Sequence, residues 1–192
     1  MNNSITVEQA HQLLEKYVAS PAMRYHSLGT EVAMRKMAEK LGQDVDFWGC
    51  VGLLHDLDMD RINGDLTQHG WKTVEILKEE GYDIPEMFDA ILAHTEVLDF
   101  STQKRLTLLD YLLSGIENLE GFISAYVAVR PSHTIIGAEP KSIVKKLKDK
   151  AFANNVNRQV INDAIEQSKL ECSEFIQHII DALSEIADKI KM

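Results

Sequence analysis

The sequence predicts an all-α fold. Apolar residues recur at helical spacing along most of the chain, strand-like alternation is nearly absent, and only four prolines and ten glycines punctuate 192 residues. Thr6-x-x-Gln9 reads as a capping box that opens a first helix, with Leu13, Leu14, Tyr17 and Val18 as its apolar stripe. Pro21 breaks the chain there. A second helix is expected from Ala22 to Leu41, with Met23, Leu28, Val32, Met34 and Met37 apolar and Gly42 at its C′ position. Asp44 suits the cap of a third, which ends near His55 and Asp56. Asp58 to Asp65 is polar and holds the turn signal Asn63-Gly64-Asp65. A fourth helix is expected from about Thr67 to Gly81. Pro85 fits the first turn of a fifth, which carries Ile91, Leu92 and His94. Ser101 is expected to cap a long apolar sixth that stops at Arg130-Pro131, because the residue before a proline leaves the helical region. Ser132 to Pro140 reads as a loop. Two further helices are expected over about Arg158 to Lys169 and Ser173 to Lys189. Phe175, Ile176, Ile179, Ile180, Leu183 and Ile186 line one face of the second.

Composition narrows the function classes. With 45% hydrophobic and 26% charged residues the chain is no disordered, collagenous or coiled-coil protein. Its length suits one domain with a proper core. A net charge of −10 argues against a nucleic-acid duplex as partner. Two cysteines, Cys50 in an apolar run and Cys172, fit reduced thiols in a reducing compartment. The N-terminus shows no basic start followed by an apolar stretch, and no segment nears the ~18 consecutive apolar residues of a membrane span. The expectation is a cytoplasmic protein with no membrane partner. A homodimer is left open.

The charge is unevenly spread. Lys141 to Lys150 holds five lysines and one acid, so this segment carries +4 and the remainder −14. Ile143, Val144 and Leu147 make an amphipathic helix the simpler reading of that segment. The alternative gathers Arg130, Lys145, Lys146, Lys150 and Arg158 around an anionic group.

The chemistry concentrates in histidines and acids. His55-Asp56 closes the apolar stretch Val51-Gly52-Leu53-Leu54, where both side chains need polar partners. A divalent ion would satisfy both, although a carbonyl partner for His55 and a turn cap by Asp56 would also do so. His26, His69 and His94 lie on or at the ends of other expected helices. Asp110 and Glu117 are seven residues apart in the sixth helix and share a face. Imidazole and carboxylate ligands suit Mn, Fe, Co, Ni, Zn or Mg, as one ion or two. His11, His133 and His178 are assigned to surface or capping roles, and Trp48 and Trp71 to core packing.

The ordered set His26, then Gly52-Leu53-Leu54-His55-Asp56-Leu57, then an acid in the sixth helix resembles the HD superfamily of metal-dependent phosphohydrolases. The resemblance covers about 22–131 and implies an HD-like helical bundle as metal-binding core, with 132–192 as a C-terminal helical extension of the same domain. It implies His26, His55, Asp56 and Glu117 as metal ligands, with Asp110 as the alternative fourth. His69 and His94 match positions that bind a second ion or act on the phosphate, which with Asp56 makes three catalytic candidates. Gly121-Phe122-Ile123, Val129-Arg130-Pro131-Ser132, the lysine run and Val156-Asn157-Arg158 look like one uncharacterised branch of the superfamily. Two departures stand out. Glu117 falls where the family has Asp, and Leu57-Asp58-Met59-Asp60 lacks the lysine found in many members. The implied function is hydrolysis of a small phosphate ester or nucleotide. Two other readings are a non-catalytic nucleotide-binding sensor that keeps the fold and a di-iron oxygenase.

Overall fold

The computed structural model describes residues 2–98 and 101–192. The fold is all-α. The one strand-like feature among the described residues is an isolated backbone bridge between Asn2 and Tyr82. No described helix is long and apolar enough to cross a membrane.

Most boundaries follow from local chemistry. Helix α1, Val7–Tyr17, opens on the expected capping box of Thr6 and Gln9. Helix α2, Pro21–Leu41, begins on the proline that the sequence suggested as a breaker, because Ser20 caps it and a proline at N1 lacks only an N–H that would be unpaired there. Gly42 ends it with φ +67. Helix α3, Val45–Leu54, starts on Asp44, whose carboxylate accepts the Phe47 N–H at 2.9 Å. The expected fourth helix splits into a 3-10 turn, Leu66–Gln68, and α4, Trp71–Glu79. Gly70 separates them at φ +78, and its N–H turns to the buried Asp58 carboxylate at 2.7 Å. Helix α5, Pro85–Ala93, runs into a 3-10 turn, His94–Val97.

Helix α6, Leu108–Val129, starts later than Ser101. Its cap is Thr107, which exchanges hydrogen bonds with Asp110 in a second capping box. Ser101 stands instead 3.1 Å from the Thr95 hydroxyl. The lysine run forms α7, Pro140–Leu147, with Ile143 fully buried. Helix α8, Arg158–Ser168, follows an Asn157 cap. The expected last helix is α9, Cys172–Glu185, and a short α10, Ala187–Ile190, with Ile186 between them outside helical geometry.

The core lies where α2, α3 and α6 meet, with α9 on α2 and α8 on α6. Met34, Met37, Leu53, Leu54, Leu112, Phe122 and Phe175 are fully buried there. Trp48 is a core anchor as expected, but Trp71, the first residue of α4, is 54% exposed. Two glycines permit close helix contact. A Cβ on Gly52 would lie 2.9 Å from both the Thr30 carbonyl oxygen and the Met34 Cγ, so α3 presses directly on α2. A Cβ on Gly115 would lie 2.2 Å from the Ala164 Cβ, so α8 rests on bare α6 backbone.

The contrast with Gly121, also inside α6 but with nothing within 4 Å of its missing Cβ, makes a test. Gly115→Ala forces α8 away and should cost about 1–3 kcal/mol, as overpacking does. Gly121→Ala should be neutral or stabilising by up to about 1 kcal/mol, from helix propensity alone. Denaturant midpoints of the two variants measure the difference; equal shifts contradict it.

Candidate metal centre

Four helix ends bring the chemistry together. His26 sits one turn into α2, His55 and Asp56 follow α3, His69 precedes α4, and His94 follows α5. The close α2–α3 contact at Gly52 holds the His26 and His55 rings 5.2 Å apart. His94 stands 5.3 Å from His55 and 4.7 Å from His69, by ring centres.

Every one of these rings is oriented through Nδ1. The His55 Nδ1–H donates to the Gly52 carbonyl at 2.7 Å, and that of His94 to the Ile91 carbonyl. His69 Nδ1 pairs with Asp58 Oδ1 at 2.9 Å, and His26 Nδ1 with Glu120 Oε2 at 2.5 Å. The four Nε2 atoms are thereby left to face one carboxylate. They lie 3.7, 3.4, 3.5 and 3.5 Å from oxygens of Asp56, for His26, His55, His69 and His94 in turn. This is the second-sphere arrangement that fixes the tautomer of metal-binding histidines.

Two further observations fit a cation. His55 Nε2 is fully buried and has no hydrogen-bond partner among the described residues. His69 and His94 bring their Nε2 atoms 2.9 Å apart. With Nδ1–H committed on both rings, two lone pairs face one another, and only a proton or a metal ion relieves that contact. The donor atoms form two groups, each within 4.8 Å: His26, His55 and Glu117, and Asp56, His69 and His94.

Electrostatics follow from burial and charge. Burial pulls the His26 imidazolium down, but the Glu120, Asp56 and Glu117 carboxylates outweigh it and hold its pKa at about 10. Burial, only partly offset by Asp56, brings His55 down to about 3, so its Nε2 offers a neutral lone pair. Burial pushes the Glu117 carboxyl up to about 8. Burial also opposes ionisation of Asp56, yet the surrounding imidazoles, His55 foremost, keep it well below the usual carboxylate range.

The structure separates the two acids of α6. Glu117 joins the cluster, with the Asn118 side-chain amide donating to its Oε1. Asp110 does not. Its Oδ2 accepts the Leu106 and Thr107 N–H groups at 2.9 and 2.8 Å, and seven residues of helix put it about 10 Å from Glu117 along the axis. Sharing a face is therefore not sharing a site. The cations of the alternative reading, Arg130, Lys145, Lys146, Lys150 and Arg158, do not stand around the histidines. Arg130 donates to the Thr134, Ile136 and Gly137 carbonyls. Arg158 spends its guanidinium on five carbonyls between Leu147 and Val156. Lys146 pairs with Asp149 at 2.9 Å. Lys150 is exposed, and Lys145 lines a surface groove between α7 and the start of α9. These cations build the C-terminal fold or face solvent.

Sequence reasoning missed Glu120 and the role of Asp58. Glu120 is 2% exposed and fits because Gly29 leaves room: a Cβ there would stand 3.1 Å from the Glu120 Cγ. Nothing in a single sequence marks that long-range fit. Asp58, in the loop after His55-Asp56, is a fully buried carboxylate that holds His69, the Gly70 N–H and, at 3.3 Å, the Thr73 N–H. Of the outlying histidines, His11 meets the buried Glu31 at 3.1 Å, His133 is exposed, and His178 reaches Glu174 at 3.8 Å. Both thiols are free, with Cys50 buried and its pKa pushed up to about 11 by that burial.

A protein-family model described as HD domain matches residues 23–121, just over half of the chain. No curated protein and no solved structure matches it.

Two outcomes are expected from this geometry. Glu120→Gln and Asp58→Asn should each weaken binding of a divalent ion by about 10–100-fold while the chain stays folded, since each loosens one imidazole. Titration calorimetry against Mn, Co or Zn measures this; unchanged affinity contradicts it. In the metal-free protein His26 and Glu117, at about 10 and about 8, both hold a proton at pH 7. Loading one ion at His26, His55, Asp56 and Glu117 should then release about two protons per chain at pH 7 and about one near pH 9, where Glu117 is already ionised and His26 is not yet deprotonated. Calorimetry in buffers of different ionisation enthalpy counts them; a count near zero at both pH values contradicts the assignment.

Proposed function

This chain belongs to the HD-domain family, and we propose that it is a metal-dependent phosphohydrolase acting on a small phosphate ester or nucleotide. The observation that carries the reading is the convergence of four imidazole Nε2 atoms on the Asp56 carboxylate, with Glu117 beside them. His26, His55, Asp56 and Glu117 would hold one divalent ion, and Asp56, His69 and His94 a second, with Asp56 common to both. So many imidazoles suit Mn, Fe, Co, Ni or Zn better than Mg, which prefers oxygen ligands. When bound, such an ion polarises a phosphoryl oxygen and makes water a stronger acid.

The residues have separable tasks. Asp56, kept ionised by its imidazole neighbours, accepts a proton from the attacking water. That water's oxygen bonds to phosphorus as the ester P–O bond breaks. Where only the first ion is bound, His69, whose charged form Asp58 supports, gives a proton to the leaving oxygen in place of holding a second ion. Met59, Val97 and Leu98 wall the recess of about 110 Å³ over the cluster and limit its water. The two free thiols support a cytoplasmic location.

The six clustered ligands also favour a second reading, a di-iron oxygenase acting on an organic substrate. One experiment separates them. Protein purified without chelator is analysed for metal by mass spectrometry and assayed on phosphate esters and nucleotides with added divalent ions. Metal-dependent release of phosphate, lost in His55→Ala and Asp56→Ala, is expected. No bound metal and no turnover with any ion rejects the hydrolase, and tightly held iron with oxygen uptake in place of phosphate release selects the oxygenase.

A further inference from the structure

A cavity of about 500 Å³ opens directly beside the candidate metal centre. It begins at His26 and Glu120, and its floor continues along α6 through Gly121, Ser124 and Ala128. Tyr25 and Lys191 form part of the opposite wall, with the Lys191 ammonium 5.6 Å from the Tyr25 ring centre. The recess over the cluster itself, at about 110 Å³, has room for little more than a phosphoryl group. The larger cavity falls in the range of small-molecule sites, about 300–1,000 Å³.

Gly121 shows that this space is kept open. A glycine inside a helix costs about 1 kcal/mol relative to alanine unless something requires it. Gly115, two turns earlier, is required by the contact with Ala164. Gly121 has no such neighbour: nothing lies within 4 Å of its missing Cβ, and its φ is not in the left-handed region. What its bare backbone borders is the cavity. Gly121 also lies one helical turn beyond Glu117, about 6 Å along the axis, and His26 of the cluster forms part of the cavity wall.

We propose that this cavity receives the leaving group of the substrate. The chemistry it fits is an organic phosphate with a ring-sized, partly apolar body that rests on Gly121 and Tyr25. An anionic or hydrogen-bond-accepting substituent on that body meets Lys191. The proposal rests on the hydrolase reading for the position of the phosphoryl group, but the cavity can be tested apart from it.

The test uses nucleoside 5′-monophosphates as large probes and glycerol phosphate as the small one. In Gly121→Trp, which fills the space, the ratio of kcat/KM for nucleotide to that for glycerol phosphate should fall at least tenfold, with bound metal unchanged. Lys191→Asn removes the cation from a left-handed position that asparagine tolerates, and should raise KM for the nucleotide more than it lowers kcat. An unchanged ratio in Gly121→Trp overturns the proposal while leaving hydrolysis standing. If no ester is hydrolysed, nucleotide binding to the whole protein decides by calorimetry. Binding that Gly121→Trp abolishes supports the cavity although the hydrolase reading has failed; no binding, or equal binding by both, overturns it.

Discussion

The buried carboxylate of Asp56 is the constraint around which this molecule is organised. A charge taken out of water must be compensated; His26, its pKa held at about 10, brings an imidazolium to it, and His55, His69 and His94 face it from three other segments. None of those rings is free to turn. Two are held by backbone carbonyls three residues earlier in their own segments, and two by the buried carboxylates Asp58 and Glu120. The outward commitment of each Nδ1 produces the inward convergence of each Nε2. Such a cluster carries more lone pairs and negative charge than its own protons balance well, which is the physical case for divalent ions there.

Bringing four segments to one point demands close helix packing. Gly52 removes the side chain that would hold α3 off α2, and Gly29 makes room on α2 for the Glu120 carboxylate. The backbone break at Gly70 has a similar purpose. It turns the chain so that Asp58 can accept both the Gly70 N–H and the His69 ring. This loop thus commits a buried anion to positioning a histidine.

The C-terminal segment supports the site from behind. Arg158 gathers the carbonyls of residues 147–156 under one guanidinium and stacks on Phe122. The loop so held presents the Asn157 N–H to Asn118 Oδ1 at 3.0 Å, and the amide of Asn118 in turn donates to Glu117. A reading of this segment by charge alone looks for substrate contacts. Its observed work is to fix a loop and, through Asn118, the orientation of one candidate ligand.

Much of this was legible in the chain of residues alone. Helical periodicity, capping boxes and the run Gly52-Leu53-Leu54-His55-Asp56 determined the all-α class, the family and the candidate histidines, because these signals are local and one helix suffices to express them. Local signals also misled where a neighbour intervened. Ser101 is a good cap in isolation, but the reciprocal bonds of Thr107 with Asp110 start α6 instead. Asp110 and Glu117 share a helical face, and only the packing of the other helices decided which end of that face meets the histidines. Trp71, Glu120, Asp58 and Arg158 were misread or missed because their roles depend on how the backbone folds: Glu120 meets His26 from 94 positions away, Asp58 meets His69 across an 11-residue loop, Arg158 collects carbonyls from the 11 residues before it, and Trp71 faces open space.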